Sequence, residues 1–321
     1  MSPRITLPVR NAGPLIALAA LVVFFSLTGS NFASVGNLAA IIESSAIPAI
    51  AVIGLTFVIV QGSIDLSVEG VVSLSCILTG LFVANSINAH HSLGIALILA
   101  IGSSLAIGLF NGIVYAKVKV PSLIVTLGTW FAARGLATML FPSRQPQIED
   151  ASFLSIALDK HLGLSGVVYC AMFVVFAGLL IEKRTVIGRL SYGIGGDENL
   201  CRLGGLHVDR IKIVVFALSG ALSGLCGVLL AAQLGVGSSQ AGEGLLFPSI
   251  SAAVIGGTLL SGGKGGILPS LIGVLILNVI QNGLLQIGVD PLATQVVEGA
   301  TIVFAVVGGS WSLREKLRVA K

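Results

Sequence analysis

Long apolar runs recur along almost the whole chain, and they restrict its possible folds more than any other feature. About ten runs are near the roughly 20 residues that a helix needs to cross about 30 Å of hydrocarbon. Only 10% of the 321 residues are charged, against about 25% in a typical soluble domain. We therefore predict an all-α polytopic membrane protein that forms a single transmembrane domain over residues 1–321. The predicted spans lie at about 13–29, 38–60, 66–87, 92–117, 122–141, 165–181, 211–233, 245–260, 267–287 and 291–309.

Basic residues are distributed unevenly over the connecting segments, and this asymmetry predicts the orientation of the spans. With the N-terminus in the cytoplasm, the inside segments hold 15 of the 18 Lys and Arg residues. The outside segments hold Arg144 and Lys160, and Arg134 lies within a span. Because cytoplasmic loops are enriched in Lys and Arg, we predict that both termini are cytoplasmic. The net charge of +4 then reflects membrane orientation and predicts no nucleic-acid partner.

The first apolar run follows Arg4 and Arg10, a pattern that a cleaved signal peptide also shows. Because many spans follow, we interpret it as a retained first span in the lipid bilayer. The outside loop at about 142–164 has room for a short amphipathic helix. The second outside loop, 234–244, is rich in Gly and Ser, which predicts flexibility.

The longest polar segment, at about 182–212, falls on the predicted cytoplasmic side. It carries a third of all Lys and Arg residues, namely Lys183, Arg184, Arg189, Arg202, Arg210 and Lys212. In its middle, Gly195-Gly196 is expected to interrupt regular structure before a short helix begins. This segment is the strongest candidate for contact with a cytoplasmic partner.

Local signals predict a short capped helix within this segment. Asp197 can accept hydrogen bonds from free N–H groups of the first turn, and Glu198 lies where the helix dipole favours an anion. Leu200 and Leu203 fall three residues apart, on one face. Gly204-Gly205 permits a left-handed stop. Such a helix is typical of a docking element, and a merely solvated basic loop is the alternative.

Polar residues inside predicted spans are the candidates for a translocation path, because they are costly in hydrocarbon. This path comprises Asp65, Glu69, Arg134, Asn278, Gln281, Asn282 and Glu298. Glu43 also lies within a span. Glu43 and Glu298 can face a pore or bond to neighbouring backbone, and Arg134 can pair with either of them.

Four amide residues of the ninth predicted span share one helix face. They are Asn278, Gln281, Asn282 and Gln286. Uncharged amides on one face can line a path for a hydroxyl-rich solute, and they can equally hydrogen-bond to neighbouring helices. The spacing leaves both interpretations open.

The sequence contains no Ser-His-Asp arrangement, no HExxH motif and no Walker A motif. The GGKGG string at 262–266 does not have the spacing of a phosphate-binding loop. Four cysteines without metal-like spacing are interpreted as small buried apolar residues. We therefore predict no catalytic site, no metal and no cofactor.

Four motifs, in order along nearly the whole chain, resemble one family. GLTFVIVQGSIDLSV at 54–68 is similar to GMTFVI-x-x-GGIDLSVG, and PSLIVTLGTWFAARG at 121–135 is similar to PSFIVTLGTM-x-x-ARG. GRLSYGIGGDENLCRLGGLHVDRIK at 188–212 resembles GR-x-x-YAIGGN-x-x-AARLSGI-x-V-x-x-x-K. AAVIGGTLLSGGKGG at 252–266 resembles AVIGGTSLSGG-x-G. These motifs are similar to the permease subunits of bacterial ABC importers of the ribose/monosaccharide type, a family shared with branched-chain amino-acid permeases.

The chain departs from the family pattern at three places. Ser63 replaces the second glycine of Gly-Gly-Ile-Asp, Glu69 stands where the family has glycine, and Leu200-Cys201 replaces Ala-Ala. These differences leave the family resemblance intact. They prevent a direct transfer of substrate identity.

The resemblance implies a fold like that of cobalamin-type importer permeases, in the bacterial cytoplasmic (inner) membrane. It implies a homodimer, or a heterodimer with a similar permease, and a periplasmic or extracellular substrate-binding protein. ATP hydrolysis is expected in a separate cytoplasmic ATPase rather than in this chain. By analogy, the coupling residues that dock this ATPase are Gly195, Gly196, Asp197, Glu198, Leu200, Arg202, Leu203 and Gly205. Leu200 and Leu203 would enter a groove of the ATPase, with Arg202 at its rim.

The predicted function is therefore the permease subunit of an ATP-driven importer of a monosaccharide or related small polar solute. Import of an amino acid, a nucleoside or a signalling furanose remains an alternative within the same class. A secondary transporter driven by H⁺ or Na⁺ is an alternative of another class, which Glu43, Glu69 and Glu298 keep open.

Overall fold

The computed structural model describes residues 12–87, 92–140, 145–297, 299–301 and 303. Over these residues the chain is mainly helical, which confirms the predicted fold class. The strands β1 (Lys160–His161) and β2 (Leu164–Ser165) form a short antiparallel hairpin. The helices are α1 (Ala12–Thr28), α2 (Val35–Val60), α3 (Val68–Phe82), α4 (Leu93–Ile113), α5 (Ser122–Leu140), α6 (Ala151–Leu158), α7 (Gly166–Arg184), α8 (Val186–Gly196), α9 (Glu198–Leu203), α10 (Val208–Leu234), α11 (Leu246–Gly256) and α12 (Ile267–Gln286).

Six of the described helices are long and apolar enough to cross a membrane, namely α2, α4 with its continuation to Val118, α5, α7, α10 and α12. Helices α1, α3 and α11 are apolar but shorter. The tenth predicted span, 291–309, lies only partly within the described residues, of which 291–297 and 299–301 are helical. The count of ten spans and the cytoplasmic position of both termini therefore stay predictions.

Helix α10 lies at the centre of the fold, against α2, α3 and α4. Its contact with α4 is close because Gly220 carries no side chain. A Cβ atom added there would lie 2.4 Å from the backbone oxygen of Ser104, so any other residue would push the two helices apart. Small residues commonly allow this approach between helices in lipid.

The chain leaves helical geometry between α2 and α3, in residues 61–67, which we call the first break. Irregular backbone at membrane depth needs partners within the protein, because hydrocarbon offers none. Two N–H groups of the break donate to hydroxyls on α5: Ile64 to Ser122 Oγ at 3.2 Å, and Leu66 to Thr126 Oγ1 at 3.0 Å. Side chains of α5 therefore replace part of the missing helical hydrogen bonding. Helix α3 is shorter than the predicted span at 66–87, because the break delays its start to Val68 and the helix already ends at Phe82.

A second break, residues 257–266, separates α11 from α12. The backbone takes positive φ angles, which favour glycine, at Gly257, Gly262, Gly263, Gly265 and Gly266. Thr258 Oγ1 accepts a hydrogen bond from the Gly266 N–H at 3.2 Å. The Gly263 N–H donates to the carbonyl of Val60, the last residue of α2, at 2.8 Å, so the second break contacts the chain immediately before the first.

The polar segment 182–212 is more helical than predicted. Gly195 and Gly196 do not interrupt the structure before a helix; they form the last turn of α8, which ends at Gly196. Helix α8 is favoured because Gly188, Ser191 and Ile194 are buried at a spacing of three residues. A Cβ atom at Gly195 would lie 1.8 Å from the Val60 carbonyl oxygen. This glycine therefore permits close packing of α8 on the end of α2, immediately before the first break.

The outside loop contains the predicted short helix, α6. Its N-cap is Asp150, whose Oδ1 accepts hydrogen bonds from the N–H groups of Ser152 at 2.9 Å and Phe153 at 3.1 Å. Phe153 is fully buried, and α6 packs on α7 and α10. The helix is therefore anchored to the protein by Phe153, with Leu154, Ile156 and Ala157 packed against the core beside it.

Candidate functional site

The predicted capped helix is present as α9, at the predicted place. Asp197 Oδ1 accepts a hydrogen bond from the Leu200 N–H at 3.0 Å, which is the expected N-cap contact. At the other end, Gly205 has a φ of 76°, and its N–H donates to the Arg202 carbonyl at 3.0 Å. Both ends of the helix are thus fixed by its own sequence.

Two leucines of α9 face away from the protein. The exposed fractions of Leu200 and Leu203 are 65% and 84%. In water, exposed apolar side chains clustered on one short helix are a marker of an interaction surface. The geometry therefore suits insertion of this helix into an apolar groove.

Charged side chains connect α9 to the first turns of α10. Arg202 Nη2 lies 2.8 Å from Glu198 Oε1 and 2.5 Å from Asp209 Oδ1, and Lys212 Nζ lies 2.7 Å from Glu198 Oε2. Burial acts to raise the pKa of Glu198, but hydrogen bonds from Lys212 and Arg202 outweigh it and hold that pKa below the ordinary value. Glu198 therefore remains a carboxylate at neutral pH and keeps α9 attached to α10.

A cavity of about 220 Å³ lies between α2, α11 and α12. Two of the predicted path residues, Asn278 and Gln281, line it together with Ser44 and Ser249. Among the described residues of its lining, none is ionisable. This first cavity therefore offers hydroxyl and amide groups within an apolar wall, a combination typical of sites for small neutral solutes.

A second cavity, of about 510 Å³, shares Ser44, Pro48, Gly244 and Leu245 with the first and is therefore adjacent to it. Its lining differs because it includes the charged residues Glu43, Lys160 and Glu243. The two cavities thus combine a charged chamber with an uncharged one.

Arg134 forms an ion pair with Glu243, whose carboxylate belongs to the second cavity. The sequence predicts pairing of Arg134 with Glu43 or Glu298; the observed partner is instead a residue of the 234–244 loop. That loop is also less free than its composition suggests, since the Gly242 N–H donates to Ser73 Oγ at 3.1 Å. Glu298 lies outside the described residues.

The two buried acids of the predicted path have structural partners. Asp65, in the first break, accepts hydrogen bonds from Ser67 Oγ at 2.6 Å and Ser219 Oγ at 2.7 Å. Glu69, on α3, accepts one from the Leu246 N–H at 3.0 Å, at the start of α11. Neither carboxylate is among the lining residues of the two cavities. Their positions therefore favour a role in holding the breaks and α11 in place.

The amide face of α12 divides into two pairs. Asn282 Nδ2 and Gln286 Nε2 both donate to Asn37 Oδ1 at 3.0 Å, so this outer pair joins α12 to α2. Asn278 and Gln281 form the inner pair, which lines the first cavity. The interhelical interpretation therefore applies to the outer pair, whereas a role of the inner pair in a solute path stays a prediction.

Several residues of the two cavities are absent from the sequence-based path. Glu43 accepts hydrogen bonds from the Ser165 N–H at 2.7 Å and Ser165 Oγ at 2.6 Å, which orders the start of α7. Lys160 and Glu243 come from outside loops distant in sequence. Their one signal in the sequence is that charged residues are rare in this chain. Their grouping could not be predicted, because it depends on the packing of α6, α7 and the 234–244 loop.

Comparison with known proteins identifies the family. A family model described as branched-chain amino acid transport system / permease component matches residues 37–306. The chain belongs to this family. The match includes both breaks, the capped helix α9 and the two amide pairs. No solved structure matches the chain.

The chain is also similar to named permeases of Escherichia coli strain K12. It is 35% identical to the ribose import permease protein RbsC over 297 residues, 91% of this chain and 91% of the relative. It is 33% identical to the L-arabinose transport system permease protein AraH over 309 residues, 96% and 92% of the two chains. It is 33% identical to the probable ABC transporter permease protein YphD over 300 residues, 93% and 89%.

Proposed function

We propose that this chain is the permease subunit of an ATP-driven importer that carries a monosaccharide into the cytoplasm. The similarity to the ribose and L-arabinose permeases, over at least 91% of this chain, carries the proposal. Pentoses are therefore the first substrates to test. The family description favours a second candidate, a branched-chain amino acid.

The first cavity supports a sugar over an amino acid. Amides and hydroxyls from Asn278, Gln281, Ser44 and Ser249 match the donors and acceptors of a polyol. A zwitterionic amino acid would bring two charges into a cavity whose described lining offers no ionisable partner, and unpaired buried charges are costly.

The proposal includes three kinds of partner. ATP is hydrolysed by a separate cytoplasmic ATPase, because the sequence has no Walker A motif of its own. This ATPase docks on α9, where Leu200 and Leu203 are exposed. A substrate-binding protein delivers the solute from outside, and a second permease copy or a similar permease completes the path. The chain lies in the bacterial cytoplasmic (inner) membrane with ten crossings, both termini inside and a fold of the cobalamin-importer type.

Uptake by proteoliposomes tests the function. The permease is reconstituted with its cognate ATPase and binding protein, and uptake of labelled D-ribose, L-arabinose and L-leucine is measured with and without ATP. We expect ATP-dependent uptake of one of the two pentoses and no uptake of leucine. Leucine uptake alone would support the amino-acid candidate. Uptake that needs no ATP and stops with an ionophore would show an ion-coupled transporter and refute the proposal.

The docking role of α9 has its own test, the Leu203→Asp variant. We expect the ATPase to be lost from the purified complex, because a charge replaces an apolar side chain in the groove. The matched control is Leu162→Asp: Leu162 is 98% exposed in the β1–β2 hairpin, on the predicted outside. Normal ATPase co-purification with Leu203→Asp would disprove docking through this face.

A further inference from the structure

Lys212 is a buried cation that connects the docking helix to the interior of the protein. It lies in the second turn of α10 and is only 4% exposed. Its Nζ lies 2.7 Å from Glu198 Oε2 on one side. On the other side, Nζ lies 4.3 Å from the centroid of the Tyr115 ring, within the range of a cation–π interaction. Lys212 therefore contacts both α9 and the end of α4.

Tyr115 is placed between Lys212 and the first break by an unusual piece of helix. After α4 the chain forms a π-helical turn at Val114–Val118, and Lys119 follows with a left-handed φ of 66°. Turns of this type are rare and occur frequently at functional sites. The Tyr115 ring packs on Phe216 with a centroid distance of 5.5 Å, so α10 fixes its position.

The contact continues into the first break. Ser63 Oγ donates a hydrogen bond to the Tyr115 hydroxyl at 2.7 Å. Ser63 is almost fully buried and lies two residues before Asp65. Four side chains thus form a continuous series from the docking helix to the first break: Glu198, Lys212, Tyr115 and Ser63.

Among the three ion pairs around α9, the contact of Lys212 is the least accessible to solvent. The side chain of Lys212 is 5% exposed, whereas those of Arg202 and Asp209 are 32% and 38% exposed. Water and salt weaken exposed pairs, so the Arg202–Asp209 pair constrains α9 less. A displacement of α9 therefore acts on the protein interior mainly through Lys212.

We propose that Lys212 is a positioning residue that transmits movement of the docking helix to the first break. The inference rests on the proposed docking of an ATPase at α9. Coupling between distant sites requires packed elements that both sites can shift, and here these elements are α9 and the non-helical segment 61–67. Lys212 forms an ion pair with Glu198 and contacts the ring of Tyr115. The Tyr115 hydroxyl in turn accepts a hydrogen bond from Ser63 in the first break.

Hydrogen–deuterium exchange tests this inference on the permease–ATPase complex in nanodiscs, with ATP and vanadate added or omitted. In the wild type, we expect α9 to be protected by the ATPase and exchange in residues 61–67 to change when ATP and vanadate are added. In Lys212→Met, α9 should stay protected while the response of 61–67 is lost. Lys212→Arg keeps a cation and should restore the response. Arg210→Met, an exposed site on the same helix, is the matched control and should behave as the wild type.

The outcomes separate this inference from the proposed docking. An unprotected α9 in the wild-type complex would refute the docking role. Protection of α9 together with an unchanged response of 61–67 in Lys212→Met would overturn the inference alone. If Lys212→Met does not fold, Tyr115→Leu provides the same comparison, because it removes both the ring and the hydroxyl. A full response in Tyr115→Leu would likewise overturn the inference.

Discussion

Helix α12 carries two pairs of amides on one face, and the two pairs have different surroundings. Asn282 and Gln286 meet Asn37, in the first turn of α2, and hydrogen-bond to it. Asn278 and Gln281 lie beside the first cavity. Each pair consists of one Asn and one Gln on the same helix face, three residues apart in the inner pair and four in the outer pair. What differs is the packing against α2, which contacts the outer pair and leaves a cavity beside the inner pair.

The largest expected effect is a loss of transport, caused by a change in the inner pair that leaves the stability of the fold unchanged. Gln281→Leu removes an amide from the wall of the first cavity. It leaves the hydrogen bonds of Asn282 and Gln286 with Asn37 in place. We expect kcat/KM for pentose uptake to fall about tenfold, the equivalent of one lost hydrogen bond of about 1.4 kcal/mol. The unfolding midpoint in nanodiscs should not change. A lowered midpoint with normal uptake would show that Gln281 belongs with the outer pair.

The outer pair should show the opposite behaviour. Asn282→Leu removes two hydrogen bonds with Asn37, at 2.9 and 3.0 Å, and leaves Asn37, which is 8% exposed, with fewer partners. We expect a loss of about 1 kcal/mol in the free energy of unfolding, the usual net contribution of a hydrogen bond within a protein. Denaturant titration of the reconstituted protein measures it. Gln281→Leu is the control; an equal loss in both variants would remove the distinction between the pairs.

The smallest effect is expected at the end of the helix. Gln286→Leu removes a single hydrogen bond, from Gln286 Nε2 to Asn37 Oδ1 at 3.0 Å, and Gln286 is an exposed residue. Interhelical hydrogen bonds of membrane proteins average about 0.6 kcal/mol, so the same titration should show a loss of that order. A loss as large as that of Asn282→Leu would mean that Gln286 contributes more to this junction than its exposure indicates.

The fold class was predictable because helix length and apolar composition together determine what can cross a bilayer. The positions of the breaks were also predictable, since the predicted spans leave gaps at 61–65 and 261–266. The partners of the first break were not, because hydropathy does not register where backbone N–H groups find their hydrogen bonds. The hydroxyls of Ser122 and Thr126, which supply those partners, lie about 60 residues away in sequence.

The capped helix α9 was predictable for a different reason. Its N-cap Asp197 and the left-handed Gly205 act on backbone only a few residues away, so the local sequence contains the relevant physics. The charged cavity depends on tertiary structure. Lys160 and Glu243 come together only after two loops pack on the helices, and no short pattern records this.

The exposed leucines of α9 have a consequence for the cell. A chain made in excess of its partner displays Leu200, Leu203 and the 42% exposed Leu206 to the aqueous side. Apolar side chains of this kind are features by which proteases and chaperones discriminate unassembled subunits from assembled ones. We therefore expect the steady-state amount of this protein to follow the supply of its partner, so that degradation of orphan copies sets the stoichiometry of the complex.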